Sequence, residues 1–84
     1  MIDFKKMIED FNDEINDAMK YHAMAFESTG CDKQVLTDMS WDEYSHAKHI
    51  HRILNEHGIS TDGQKEVLHR TKEVLEEDRW WSGQ

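Results

Sequence analysis

The chain contains no proline, one cysteine and only four glycines in 84 residues, and each shortage removes a class of structure. Without proline, and with apolar residues recurring at helical rather than alternating spacing, nothing interrupts long helices, so the expected class is all-α. A single cysteine, Cys31, excludes an intramolecular disulfide and suits a reducing compartment. No stretch approaches the roughly 20 apolar residues of a membrane helix, and the opening MIDFKKMIED lacks a signal-peptide core. A cytoplasmic location is therefore expected. Positive charge is also scarce: 10 Lys and Arg stand against 18 Asp and Glu, a net charge of −8. Nucleic acid and anionic membrane both need clustered basic side chains, which leaves cations as the natural partners. A core of this size supplies only about 3 to 5 kcal/mol, and self-association commonly makes up the deficit.

What is present is helical periodicity, and it divides one domain, residues 1–84, into three helices. The first, about residues 2–27, carries Phe4, Met7, Ile8, Phe11, Ile15, Ala18, Met19, His22, Ala25 and Phe26 on a broad apolar face. Ser28, Thr29 and Gly30 end it. At about 1.5 Å per residue it is close to 40 Å long, which suits a bundle. The second helix, about residues 33–57, ends at Gly58, a natural residue for the left-handed position after a helix. Its start has alternative readings, between Asp32 and Ser40. Ser40 and Glu43 fit the Ser-x-x-Glu capping box, which puts Glu43 in a first turn bonding back to the backbone. Leu36 and Met39 instead continue the apolar stripe in phase, as in a helix already running before Ser40. The third helix, about residues 62–79, starts after Thr61, whose spacing to Gln64 makes another capping box, and its inner face is Val67, Leu68, Thr71, Val74 and Leu75. Trp80 and Trp81 follow, an aromatic pair expected to dock on a neighbouring helix or subunit.

The second helix holds the puzzle of the sequence, because SWDEYSHAKHIHRIL places Glu43 and His46 three residues apart inside an apolar stripe. At roughly 100° per residue, Leu36, Met39, Ala47, Ile50 and Leu54 fall within about 40° of Glu43, and His46 lies about 60° away. Burying an unpaired carboxylate costs several kcal/mol, so such a position needs a compensating cation or proton. Glu14 on the first helix lies on the flank of its stripe, reachable from the core. Glu14, Glu43 and His46 are half of a recognisable ligand set: carboxylate-bridged di-iron bundles use a Glu from each of two helices and a Glu-x-x-His from each of the other two. Two copies of this chain across a two-fold axis supply the whole set, and their four carboxylates balance two divalent metals. Oxygen and imidazole donors favour iron or manganese over the metals that prefer thiolates. A second Glu-x-x-His, Glu66 to His69, lies about 140° to 160° from the centre of its own apolar face and is expected in solvent.

Glu14, then Tyr21 seven residues on, then Glu43-Tyr-Ser-His46-Ala47 after a short turn, resembles the ferritin and rubrerythrin superfamily over roughly Phe11 to Gly58. With one half-site per short chain, the sequence is most similar to the encapsulated ferritins, whose two-helix subunits build a ferroxidase centre across a dimer interface. The resemblance implies a helical hairpin with a C-terminal helix, dimerising into a ferritin-like four-helix bundle. It implies Glu14, Glu43 and His46 as metal ligands, with two irons per dimer and manganese or zinc as substitutes, and Tyr21 beside the metal. The implied activity is that of an oxidoreductase converting Fe(II) to Fe(III), with dioxygen or peroxide as oxidant, for iron storage or detoxification. The implied partners are a second copy, in a homodimer or higher even-numbered oligomer, and an encapsulating protein compartment. The tail WWSGQ does not look like the extension that docks such subunits inside a shell.

Asp13 and Asp17 beside Glu14 are candidates to stage incoming cations, or else part of a solvated acidic face. His22 and His57 lie near apolar stripes and are expected to be buried, hydrogen-bonded side chains; His49 and His51 point well away from the stripe. A competing reading makes the chain a small acidic helical interaction module, metal-free or structurally metallated, in which Glu43 caps a helix and His46 is a satisfied core residue.

Overall fold

In the computed structural model, which describes the backbone of residues 1–82 and the side chains of residues 1–77, the chain forms three helices. They are α1 (Phe4–Phe26), α2 (Gly30–Glu56) and α3 (Asp62–Ser82), with no strand among the described residues. Three of the helix boundaries have a clear local cause. Asp3 caps α1, its carboxylate accepting the Lys6 backbone N–H at 3.0 Å. At the end of α2 the backbone passes through Gly58 at φ +71°, and Ile59 N–H donates to the Leu54 carbonyl at 2.8 Å while Gly58 N–H donates to that of Asn55 at 3.0 Å. That pair of reversed bonds satisfies carbonyls that a stopped helix leaves open, and the left-handed conformation is cheap only for glycine. The Thr61–Gln64 box forms as its spacing predicts: Gln64 N–H donates to Thr61 Oγ1 at 3.2 Å and Thr61 N–H to Gln64 Oε1 at 3.4 Å.

The α2 start departs from expectation. The helix begins at Gly30, before Asp32, and runs through Ser40 without a break. The capping-box reading of Ser40 and Glu43 is therefore overturned. Ser40 is 1 % exposed, and its hydroxyl donates to the Ala18 carbonyl on α1 at 2.7 Å. A residue that looked like local punctuation is a cross-helix tie, because the packed neighbour offers its hydroxyl a better acceptor than its own helix does.

Helices α1 and α2 pack antiparallel in a constant register: Ala18 meets Ser40, Glu14 meets His46, Phe11 faces His51 and Phe4 faces His57. Helix α3 folds back mainly on α2 and more lightly on α1. The shared core is Phe11, Ile15, Ala18, Tyr44, Ala47, Leu68 and Leu75, with Trp41 and Ile50 packed against it. Burying that apolar surface, not helix propensity, holds the three elements together.

Several side chains sit elsewhere than their stripes suggest. Phe26 is 72 % exposed, since it is the last residue of α1; the Lys33 ammonium lies 5.9 Å from its ring centroid. Val67 lies exposed at the edge of the α3 stripe, whose contact with α2 is narrow enough to be filled by Leu68, Thr71 and Leu75. His57 is exposed because α2 ends there, with the ring of Phe4 4.9 Å from its own. His51 is half-buried, because α3 brings Gln64 Oε1 to 3.3 Å from its Nδ1. His22 is half-buried and His49 exposed. The expected docking of Trp80 and Trp81 falls on side chains outside the described residues.

Candidate metal centre

The register that joins Ala18 to Ser40 also sets Glu14 of α1 opposite Glu43 and His46 of α2. On α2 the two ligand types are one turn apart, so they project from one flank. Glu43 is the midpoint of α2, with thirteen helical residues on each side. Glu14 lies near the middle of α1. The side chains converge: one donor atom from each of Glu14, Glu43 and His46 lies within 4.8 Å of the other two. His46 Nδ1 is 3.3 Å from Glu14 Oε2 and 3.3 Å from Glu43 Oε1.

These separations fit a hard divalent cation. Neighbouring donors in an octahedral shell at about 2.1 Å from the ion lie about 3.0 Å apart, and opposite donors about 4.2 Å. Small side-chain torsions close the cluster onto one ion. Two carboxylates and one imidazole are also the donor set that iron and manganese accept. The three donors leave further positions of that shell open.

Glu43 is held above the usual carboxylate range, first by partial burial, then by sharing a hydrogen bond with Glu14 and by the Glu14 charge; His46 opposes the shift and Asp17 adds to it. The cluster is not deeply enclosed, since the side chain of Glu14 is 26 % exposed, that of Glu43 20 % and that of His46 57 %. It occupies a flank of the α1–α2 pair, and the helical period puts the half-buried Met7, Leu36, Met39, Ile50 and Ile53 and the exposed Val35 on the same side of their helices.

The neighbours divide. Asp17 is half-buried and within electrostatic reach of Glu43, whereas Asp13 is exposed with its side chain in solvent. Tyr21 is half-buried on the Glu14 row, and its described partner is not a ligand of the cluster but the Lys20 ammonium, 4.9 Å from the ring centroid. Lys20 also pairs with Asp17 at 3.6 Å. Sequence reasoning passed over Lys20, although its spacing of three from Asp17 was the available signal.

Comparison of the chain with models of known protein families, with curated proteins and with solved structures finds no match. No helix among the described residues is long and apolar enough to cross a membrane.

Proposed function

We propose that this chain is one half of a di-iron ferroxidase of the ferritin-like, encapsulated-ferritin kind, whose centre is completed by a second copy. The observation that carries the reading is the convergence of Glu14, Glu43 and His46 from two helices onto one partly open flank. Pairing copies through that flank, about a two-fold axis crossing the helices near their midpoints, brings two half-sites together and keeps the helices in full overlap. The axis and the ligands then coincide because Glu43 is central in α2. The same pairing covers Met7, Leu36, Met39, Ile50, Ile53 and Val35, which one chain leaves partly in water.

Fe(II) is the substrate, giving one electron per ion to dioxygen or peroxide and leaving as Fe(III) for storage or detoxification. Glu14 and Glu43 bind the incoming ions through carboxylate oxygen, which stabilises the higher charge of Fe(III) more than that of Fe(II). His46 binds through Nδ1, the atom turned toward both carboxylates. A cation favours the ionised form of Glu43 against the upward shift that burial and Glu14 impose. Asp17 and Asp13 draw cations toward the flank, and Tyr21 lines its edge. Manganese or zinc suits the same donors without the same redox outcome.

A second reading, the acidic interaction module, is favoured by one observation. The His46 ring nitrogen already meets both carboxylates at 3.3 Å, so a protonated imidazole can satisfy them without metal. Native mass spectrometry after anaerobic Fe(II) addition separates the readings. The ferroxidase requires two irons per pair of chains, with oxygen consumed on aeration; metal-free chains under the same conditions leave the module. Two bound metals without oxygen consumption indicate a structural site.

A further inference from the structure

Four charged groups, not three, stand at this flank. Asp17 follows Glu14 by one turn of α1 and lies close enough to Glu43 to repel its charge. Its carboxylate faces the Lys20 ammonium at 3.6 Å, and that ammonium also lies 4.9 Å from the centroid of Tyr21. Tyr21 is in turn on the Glu14 row, so both contacts of Lys20 hold its charge at the edge of the metal flank. With a neutral His46, the carboxylates of Glu14, Glu43 and Asp17 carry three negative charges. Lys20 cancels one of them. The remainder is the charge that one divalent cation neutralises.

We propose that Lys20 is a tethered counter-cation of the Glu14, Glu43 and His46 half-site: by cancelling Asp17 it sets the charge of each half-site to match a single divalent ion. The inference rests on the metal-binding reading above, and it concerns the strength of cation binding. A cation arriving at Asp17 meets an ammonium already in place, whereas one arriving between Glu14 and Glu43 is attracted by both carboxylates, a divalent ion twice as strongly as a monovalent one. Lys20 is a positioning residue, since it acts through Asp17, whose charge reaches Glu43, rather than by touching the ion. The effect is modest because the pair is half in water, with side-chain exposures of 57 % for Lys20 and 42 % for Asp17.

The test is calorimetric titration of the full chain with cobalt(II), a divalent probe that does not turn over, at low and high salt. Lys20→Met is expected to tighten cobalt binding about threefold at low ionic strength, the size of one exposed ion pair, and the gain is expected to vanish near about 0.5 M salt. Asp17→Asn is expected to weaken binding by a similar factor, and Lys20→Arg to leave it unchanged. The decisive variant is the double substitution, which restores the original charge and is expected to restore the original affinity. Circular dichroism of each variant verifies that it folds. Binding that is unchanged or weaker in Lys20→Met, or a double variant that stays as weak as Asp17→Asn, overturns the role of Lys20 while leaving the metal site standing. No cobalt binding by the unsubstituted chain overturns the metal site, and this inference with it.

Discussion

The chain carries the same local motif twice, and only one copy meets a partner on another helix. Glu43 and His46 on α2 face Glu14 of α1, and the three gather within 4.8 Å. Glu66 and His69 on α3 have identical spacing but turn to water, where Glu66 pairs with Arg70 at 2.8 Å and His69 with Glu73 at 2.6 Å, all four at least 58 % exposed. Both pairings are along α3 itself. A Glu-x-x-His becomes a candidate site when a neighbouring helix brings a third donor to it and the surrounding surface limits solvation. Otherwise the two side chains find ordinary surface partners of small energetic value.

The largest expected difference between the motifs is in cation binding. Glu43→Ala is expected to weaken cobalt or Fe(II) binding about 100-fold and to stop oxygen consumption, as loss of a direct ligand does, while Glu66→Ala leaves both unchanged. Isothermal titration and an oxygen electrode measure the two effects. Equal losses in the two variants would erase the distinction drawn here.

Next in size is the tie that holds the ligands opposite one another. Ser40→Ala is expected to destabilise the fold by about 1 to 2 kcal/mol in urea unfolding, because it removes a buried hydroxyl bonded to the Ala18 carbonyl. Amide protection over residues 33–39 is expected to persist in that variant, since the helix does not start at Ser40.

Burial and the Glu14 charge give the Glu43 motif a pH dependence of definite sign. The Glu43 pKa is raised in the folded chain, so protonation stabilises the fold. The metal-free chain is expected to lose that contribution as pH rises from the ordinary glutamate value through the raised one. Cation binding strengthens across the same window because the proton must leave, and Glu43→Gln flattens both trends. Thermal melts and titrations across that range measure them. Smallest of all, His69→Ala is expected to change stability by less than about 0.5 kcal/mol.

Much of this was legible in the chain itself. The periodicity of Phe11, Ile15 and Ala18, and of Leu68 and Leu75, named residues that pack in the core. The Thr61–Gln64 cap and the glycine after α2 fixed their helix ends by local chemistry. The outward turn of Glu66 and His69 followed from their angle to the α3 stripe. Ser40 was ambiguous because its spacing to Glu43 matches a cap, and spacing carries no information about the Ala18 carbonyl on another helix. His51 and His57 exchanged roles for a similar reason: coverage depends on where α3 lies, not on where the α2 stripe points.

The sequence by itself determined the all-helical class, the end of α2 and the start of α3, and which face of each helix is apolar, since these arise from backbone hydrogen bonding and side-chain period within one element. The tertiary structure decided the antiparallel register of α1 on α2, and through it the meeting of Glu14 with Glu43 and His46 and the placement of Lys20 against Asp17 and Tyr21 on their flank. Register is a property of two surfaces in contact. The buried bond from Ser40 to the Ala18 carbonyl marks it, and no single helix encodes that meeting.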